Sequence, residues 1–446
     1  MQKTINLINK TYKQIKSGKF IRNVLTVASG TAGVQILSAV FVPITTRLYG
    51  PEAFGLFGTF FAAVSILSPV VTLSFPIATV LPKSDNEAKT ISVFSSRVCL
   101  IFVLFLLVVI GLFKSSFSKI FSLETTGNLI WFLPIVLFTS GYIQVLTQWL
   151  IRRKMFLFMS VSGIIQSLIM NLSKIAVGFY LNTGFSLVSI FSFASFLHVI
   201  ILYYGINKRD STNNWALANC EGFSYTEIAK KYYDFPIYRT PQIFLNSIGQ
   251  SLPVLILASF FGPAVAGFYS LGRSVLGLPS TLISRSITNV LYPKLAEANN
   301  SSQKLYPLLK KATSGLFWVG LLPYGLIFIF GPELFSFIFG KDWLTAGEYA
   351  RWLSLWVFFQ YLNPPAISCI PVIKKQLFLL IYEIATLLAR VASIYLGAAY
   401  FADSLITIKL FTLVNILSYI FLIAFTFVSV RKYDSKINTE EVANNE

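Results

Sequence analysis

Charged residues are scarce in this sequence, and most of them are basic. Asp, Glu, Lys and Arg make up 12% of the 446 residues, whereas hydrophobic residues make up 55%. Soluble domains carry roughly a quarter charged residues, so a soluble core could not bury this much apolar surface. Apolar runs of roughly sixteen to twenty residues, such as 98–113, 131–150 and 411–430, approach the length that crosses a bilayer. The composition therefore indicates an integral membrane protein.

Residues that build enzyme and metal sites are also scarce. The three cysteines, Cys99, Cys220 and Cys369, are far apart and form no CxxC pair, so neither a disulfide framework nor a zinc site is suggested. His198, the only histidine, lies in an apolar run, and no GxxxxGK[ST] phosphate loop occurs. The net charge of +18 could suggest nucleic-acid binding, but the sequence contains no basic soluble domain that could carry out such binding. We expect no cofactor and no metal, and catalysis is disfavoured.

Hydrophobic runs between charged residues predict an all-α membrane protein with about twelve transmembrane helices. The predicted spans lie near residues 24–46, 54–81, 92–113, 129–151, 156–180, 184–205, 236–261, 264–291, 313–339, 345–371, 376–401 and 405–430. This divides the chain into a basic N-terminal segment (1–23), a six-helix lobe (24–207), a linker (208–235), a second six-helix lobe (236–430) and a tail (431–446).

The positions of Lys and Arg predict the orientation, because cytoplasmic loops retain positive charge. Twenty-six of the 36 Lys and Arg residues fall at the termini or in loops on one side of the predicted membrane. The opposite side has only Arg47, Lys114, Lys119 and Lys341. Both termini and the linker are therefore expected in the cytoplasm. No short apolar region with a cleavage site follows the basic N-terminal segment, so we interpret it as uncleaved.

A short pattern occurs twice, at an offset of 212 residues. Leu-Tyr-Gly50-Pro51 with Gly55 recurs as Phe-Phe-Gly262-Pro263 with Gly267. Each copy lies between the first and second span of a six-span half, where Gly-Pro can end one helix and start the next. Chance recurrence is the alternative to duplication. Duplication predicts two lobes related by a pseudo-two-fold axis along the membrane normal, with a substrate path between them.

Several basic residues fall within predicted spans, where ionisable groups are costly and indicate function. Arg273 and Arg390 lie deepest, and Lys174 and Arg285 lie about two helical turns from a span end. For the latter two, snorkelling to water is equally consistent with the sequence. Arginine binds phosphate oxygens well, so these residues predict a cavity for a phosphate-bearing or acidic ligand.

Polar side chains also recur at helical spacing in three spans, which is typical of a face turned toward a cavity or a partner helix. The predicted cavity residues are Gln35, Asn171, Gln242, Asn246 and Gln250. Glu383 lies seven residues before Arg390 and nearly on the same helix face. Glu383 could orient Arg390, directly or through a bridging water molecule, or it could bind a coupling cation.

The segment Arg47–Phe57 (RLYGPEAFGLF) resembles the first-loop motif of the oligosaccharide flippases of the multidrug/oligosaccharidyl-lipid/polysaccharide superfamily. Similarity continues in Phe261–Arg273 (FGPAVAGFYSLGR), in Pro279 and in Phe339–Trp343 (FGKDW). The resemblance implies two six-helix lobes around a central cavity and export of undecaprenyl-pyrophosphate-linked sugar units for O-antigen, capsule or a related glycan. It also implies a substrate-contacting role for Arg273. The expected location is the bacterial cytoplasmic membrane, with polymerase and glycosyltransferases of the same pathway as possible partners.

Two other functions stay open at the level of sequence. A multidrug exporter of the same superfamily would be expected to need acidic groups in its path, yet the cations within the spans outnumber Glu383. A membrane glycosyltransferase or O-antigen polymerase would be expected to expose a sizeable external loop. The longest predicted one, residues 114–128, holds a single acid, Glu124.

Overall fold

A computed structural model describes residues 18–123, 128–209, 224–301, 303–373 and 375–445. Residues 1–17 of the predicted N-terminal segment (1–23) and residues 210–223 of the predicted linker (208–235) therefore lie outside the described residues. The described chain contains twelve long helices, one for each predicted span. They are α1 (Gly18–Leu48), α2 (Pro51–Val71), α3 (Asp85–Ile120), α4 (Phe132–Arg152), α5 (Phe156–Gly178), α6 (Gly184–Arg209), α7 (Thr240–Phe261), α8 (Pro263–Asn300), α9 (Tyr306–Phe339), α10 (Leu344–Leu362), α11 (Gln376–Phe401) and α12 (Ser404–Asn445).

Length and apolar composition allow nine described helical segments to cross a membrane, and α1 contributes a shorter apolar stretch, Ala32–Leu48. The two long helices not among these, α8 and α10, contain basic residues within their length, including Arg273 and Arg351.

The exposed surface of α3 is apolar. Ile101, Leu104, Phe105, Val108 and Leu112 all lie on one face, and the side chain of Leu112 is 72% exposed. Their spacing is that of one face of an amphipathic helix, and on α3 the apolar face is the exposed one. A contiguous exposed apolar face of this kind is unfavourable in water and is expected against lipid.

Two predicted spans are interrupted in the structure. The span at 54–81 ends as helix α2 at Val71 and resumes only as a short helix, Phe75–Ala78. Leu73 and Ser74, between them, have positive φ values of 48° and 57°. Pro76 has no N–H to donate to the carbonyl of Thr72, so a regular helix cannot continue here.

The predicted span at 345–371 is interrupted in the same way. Helix α10 ends at Leu362, and a short helix, Pro364–Val372, follows it. Pro364 and Pro365 lack the N–H groups that would bond to the carbonyls of Gln360 and Tyr361. A single hydrophobic run can therefore contain a helix break that a hydropathy profile does not show.

The segment before α7 is anchored to the start of α3. A short helix, Tyr225–Lys231, begins with a capping box formed by Ser224 and Glu227. Lys231 pairs with the buried carboxylate of Glu87, and the Tyr232 hydroxyl donates to the same carboxylate at 2.8 Å. Burial, together with this hydrogen bond, raises the pKa of Tyr232 to about 12, so its phenol stays a donor at physiological pH.

The chain folds into two compact units. Unit 1 comprises Met1–Tyr49 and Thr59–Ser251, and unit 2 comprises Gly50–Gly58 and Leu252–Glu446. In unit 1 an apolar cluster around Trp149, Leu146 and Leu202 joins α3, α4 and α6. In unit 2 a cluster that includes Leu295 and Leu309 joins α8, α9, α12 and the short helix Pro364–Val372. Helices α2 and α7 each contribute residues to both units.

Within unit 2 the two copies of the Gly-Pro pattern pack against each other. A Cβ atom on Gly55 would lie 1.7 Å from the carbonyl oxygen of Pro263, and one on Gly267 would lie 2.1 Å from that of Pro51. The first turns of α2 and α8 therefore meet backbone to backbone, as small residues allow at membrane helix contacts. The two glycines that allow this close approach, Gly55 and Gly267, occupy the same position in the two copies of the pattern.

We expect Gly55→Ala to destabilise the protein by about 1–3 kcal/mol, because the new methyl group meets backbone that cannot rotate away. Gly277→Ala is the matched control, since no atom lies within 4 Å of a Cβ at that helical position. It should leave stability unchanged or raise it slightly through helix propensity. Thermal unfolding of the purified proteins in detergent measures both, and equal melting temperatures would contradict the packing described here.

Candidate functional site

Arg273 lies on α8 in unit 2 and is held by α10. Its Nη2 atom donates to Oε1 of Gln360 at 3.0 Å, and its guanidinium carbon lies 4.7 Å from the ring centroid of Trp356. Gln360 and Trp356 are one helical turn apart, so they support the guanidinium from one face of α10. The amide and the ring use one N–H group and one face of the guanidinium, and further N–H groups stay available to a ligand.

Arg390, on α11 in the same unit, is held by an aromatic ring. Its guanidinium carbon lies 5.4 Å from the ring centroid of Tyr419, and its buried Nε atom has no hydrogen-bond partner among the described residues. Arg273 and Arg390 are therefore both supported by aromatic rings within unit 2.

Neither guanidinium forms an ion pair with a carboxylate in the described part of the chain. Arg351, by contrast, lies 3.9 Å from Glu333 and donates to the carbonyl of Ile329. A half-buried cation without an acidic partner is costly in an apolar bundle. A guanidinium of this kind, with unused N–H donors, is suited to bind an anion.

Two other predicted residues of unit 2, Glu383 and Arg285, make no described contact with Arg273 or Arg390. Glu383 is exposed on α11 and makes no ion pair with Arg390 among the described residues. Arg285 lies on α8, but its side chain falls outside the described part of the structure. Their predicted roles stay predictions.

Gln35 lies on α1, and Asn171 and Lys174 lie on α5. A hydrogen bond between Ser38 and Ser167 joins these two helices of unit 1, as polar residues often do in membranes. Asn171 is 4% exposed, and its amide donates to the carbonyl oxygen and the hydroxyl of Ser167, one turn earlier in the same helix. The carbonyl of Lys174 accepts a hydrogen bond from the Tyr49 hydroxyl at 2.9 Å. The predicted cavity roles of these three residues stay predictions.

Gln242, Asn246 and Gln250 form an exposed stripe along α7. Gln250 donates to Asn246 at 2.7 Å, and Arg239 donates to Gln242 at 3.0 Å. Polar side chains left exposed on a membrane helix are expected to line water rather than lipid. This stripe is the part of the predicted polar set that is placed to meet a soluble group.

A second polar group in unit 1 has no counterpart in the sequence prediction. The Gln144 amide donates to the carbonyl and hydroxyl oxygens of Ser68, at 3.2 and 2.9 Å, and accepts from Thr72 at 3.1 Å. Ser68 also shares a 2.7 Å hydrogen bond with Ser140. Ser65, Ser68, Ser74 and Gln144 line a cavity of about 320 Å³.

Two residues of these polar contacts were not predicted, because little in the sequence distinguishes them. Gln144 and Gln360 are isolated amides in otherwise apolar or aromatic runs, which hydrophobic periodicity does not single out. No group of three His, Cys, Asp or Glu side chains that could hold a metal occurs among the described residues.

Comparison with known proteins gives both family and fold. A family model for polysaccharide biosynthesis proteins matches residues 44–348. The lipopolysaccharide biosynthesis protein WzxC of Escherichia coli strain K12 is 28% identical over 113 residues, 24% of this chain and 22% of that protein. The chain thus spans about a quarter of the length of the curated relatives it matches.

Two solved structures share the fold at 14% identity and a TM-score of 0.66. One is an inward-facing multidrug resistance MATE family transporter of the MOP superfamily, matched over 91% of this chain and 96% of that one. The other is the lipid II flippase MurJ in an inward closed conformation, matched over 94% and 93%. This likeness confirms the predicted all-α membrane fold of about twelve helices in two lobes. With more than half of its length covered by the family model, the chain belongs to the polysaccharide biosynthesis protein family.

Proposed function

We propose that the protein is a flippase for lipid-linked oligosaccharides. In this proposal it moves undecaprenyl-pyrophosphate-linked repeat units from the cytoplasmic to the outer leaflet by alternating access, in the synthesis of O-antigen, capsule or exopolysaccharide. The observation that carries the proposal is the pair Arg273 and Arg390, which lie in membrane helices without a described acidic partner. Membership of the polysaccharide biosynthesis family and the flippase fold of a structural neighbour support it.

The pyrophosphate is the part of such a substrate that these arginines suit. Its oxygens accept the parallel N–H groups of a guanidinium, and its charge offsets the cost of holding two cations in an apolar bundle. Gln360 and Trp356 keep Arg273 in one orientation, so the entropy of ordering that side chain is lost before the ligand binds. A cationic drug would be repelled by the same two charges.

The other predicted site residues take secondary roles in this proposal. Lys174 and Arg285 would add positive charge along the path, and the exposed amides of Gln242, Asn246 and Gln250 would face the hydrated sugar. Glu383 would be a candidate for binding a coupling cation, because it is an acid without an ion-pair partner among the described residues.

The proposed location is the bacterial cytoplasmic membrane, with the N-terminal segment 1–23, the linker 208–235 and the tail 431–446 in the cytoplasm. The two transporting lobes would be residues 24–207 and 236–430. Polymerase and glycosyltransferases of the same glycan pathway are the proposed partners. The asymmetric distribution of Lys and Arg supports this orientation.

Arg273→Ala and Arg390→Ala should each reduce glycan export at least about tenfold, since each removes a charge-assisted contact of the kind worth about 1.5–3 kcal/mol. The double variant should abolish export. Surface glycan in a complemented deletion strain measures the effect, with membrane levels of each variant checked by immunoblot.

Arg431→Ala is the matched control for these variants, because Arg431 is an exposed arginine of α12 that follows the predicted span 405–430. It should support normal export. Normal surface glycan from a well-expressed double variant would contradict the arginine site. A deletion strain with unchanged glycan but hypersensitivity to cationic dyes would instead support a multidrug exporter.

The proposed orientation predicts the behaviour of reporter fusions. Green fluorescent protein at the C-terminus should fluoresce, because the tail is in the cytoplasm. Alkaline phosphatase inserted after Gly340, in the turn between α9 and α10, should be active, because that turn is external. An inactive phosphatase at Gly340, in a fusion that is stably produced, would show that the orientation is wrong.

A further inference from the structure

We propose that the cavity of unit 1 at the interrupted end of α2 is a saccharide-binding subsite. The inference rests on the proposed function and deepens it, because it assigns the recognition of the sugar to residues of unit 1. The polar lining consists of Ser65, Ser68, Ser74 and Gln144. None of the predicted site residues contributes to it.

The chemistry of the lining selects an uncharged, hydroxyl-rich ligand. The lining residues comprise three serines, one glutamine and three apolar side chains, with no ionisable group. An anion would find no cation in this cavity, and a cationic ligand would find no carboxylate. A serine hydroxyl can donate or accept, and a sugar hydroxyl has the same property, so the two can pair in either sense.

The apolar part of the lining suits the same ligand. Pro69, Ile77 and Ile243 form the remaining wall of the cavity. Sugar rings have C–H faces that pack against such side chains while their hydroxyls reach the polar groups. The volume of about 320 Å³ is at the lower end of the range for small-molecule sites, so it suits one end of a longer saccharide.

The polar groups are held in place before any ligand arrives. Gln144 is fixed by its bonds to Ser68 and Thr72, and Ser140 fixes Ser68 from the other side. The Ser74 and Thr240 hydroxyls lie 3.0 Å apart, and Thr240 can also donate to the carbonyl of Phe235, so this pair holds the Ser74 side chain in place. Preorganised donors and acceptors lower the entropy lost on binding.

The backbone at this cavity is strained, which is an independent reason to assign it a function. Leu73 and Ser74 both adopt left-handed φ values, 48° and 57°, although neither is glycine. Strain of this kind persists where the surrounding structure enforces it, and it concentrates at functional sites. Arg152 supplies part of that enforcement, because it donates to the carbonyls of Thr79 and Pro82 just after the break.

The break in α2 lies beside the cavity. It falls between the lining residues Ser68 and Ser74, at the end of the span Pro51–Val71. The irregular segment after the helix therefore supplies part of the lining.

The test measures the binding of two probes to the full-length protein in lipid nanodiscs. The first probe is undecaprenyl pyrophosphate, and the second is the lipid-linked saccharide extracted from a strain that lacks the protein. The wild-type protein should bind the second probe about tenfold more tightly, which corresponds to roughly 1.4 kcal/mol of sugar contacts. Gln144→Leu should remove this preference and leave the binding of undecaprenyl pyrophosphate unchanged.

Three further variants make the outcome decisive. Gln148→Leu is the matched control, because it is the same substitution one turn further along α4 at a residue outside the cavity lining. It should bind both probes as the wild type does. Ser65→Ala should weaken only the second probe and replaces Gln144→Leu if that variant does not fold. Arg273→Ala should weaken both probes.

Each contrary result overturns a defined claim. If the wild-type protein binds both probes equally, or if folded Gln144→Leu and Ser65→Ala variants keep the preference for the saccharide, the subsite is wrong and the flippase proposal stands. If the wild-type protein binds neither probe, the flippase proposal fails and the subsite fails with it.

Discussion

The requirement that every backbone N–H and C=O group be satisfied without water governs this structure. Inside a bilayer only a helix meets that requirement locally, so a chain with long apolar runs must cross as helices. The described chain contains twelve long helices and no strand. Departures from helix are then costly and need local compensation, which is why the breaks near Ser74 and Pro364 are informative. At the first break, the Gln144 amide bonds to the Ser68 carbonyl in the last turn of α2.

The same scarcity of water explains how the charges are distributed within each unit. In unit 1 the strong ion pairs join helix ends and the adjoining segments, as Arg152 does with Asp85 and Lys231 with Glu87. There, further hydrogen-bond partners are available: the Tyr232 hydroxyl for Glu87, and the carbonyls of Thr79 and Pro82 for Arg152. In unit 2, Arg273 and Arg390 are supported instead by an amide and aromatic rings. Such partners orient a guanidinium without neutralising it, which is suitable for a site that must attract an anion and later release it.

Small residues set the distances between helices where side chains would separate them. Gly55 and Gly267 occupy the same position in the two copies of the Gly-Pro pattern, and each meets the backbone of the other copy's proline. The recurrence was visible in the sequence, but its contact was not, because no local property of either segment specifies its partner. In unit 1, the spacing of Asn171 predicted a cavity-facing side chain, and the structure shows that its amide bonds to Ser167 one turn earlier in α5.

The sequence alone determined the membrane class and the number and order of the helices, and it predicted that Arg273 and Arg390 lie deep within spans. These properties follow from apolar run length and from the cost of charge in lipid, which are local quantities. Only the tertiary structure decided that Gln360 and Trp356 support Arg273, and that Ser68, Ser74 and Gln144 share one cavity. These groups come from different helices or from either side of a break in one helix. Their proximity depends on packing angles and backbone dihedrals that hydrophobic periodicity does not encode.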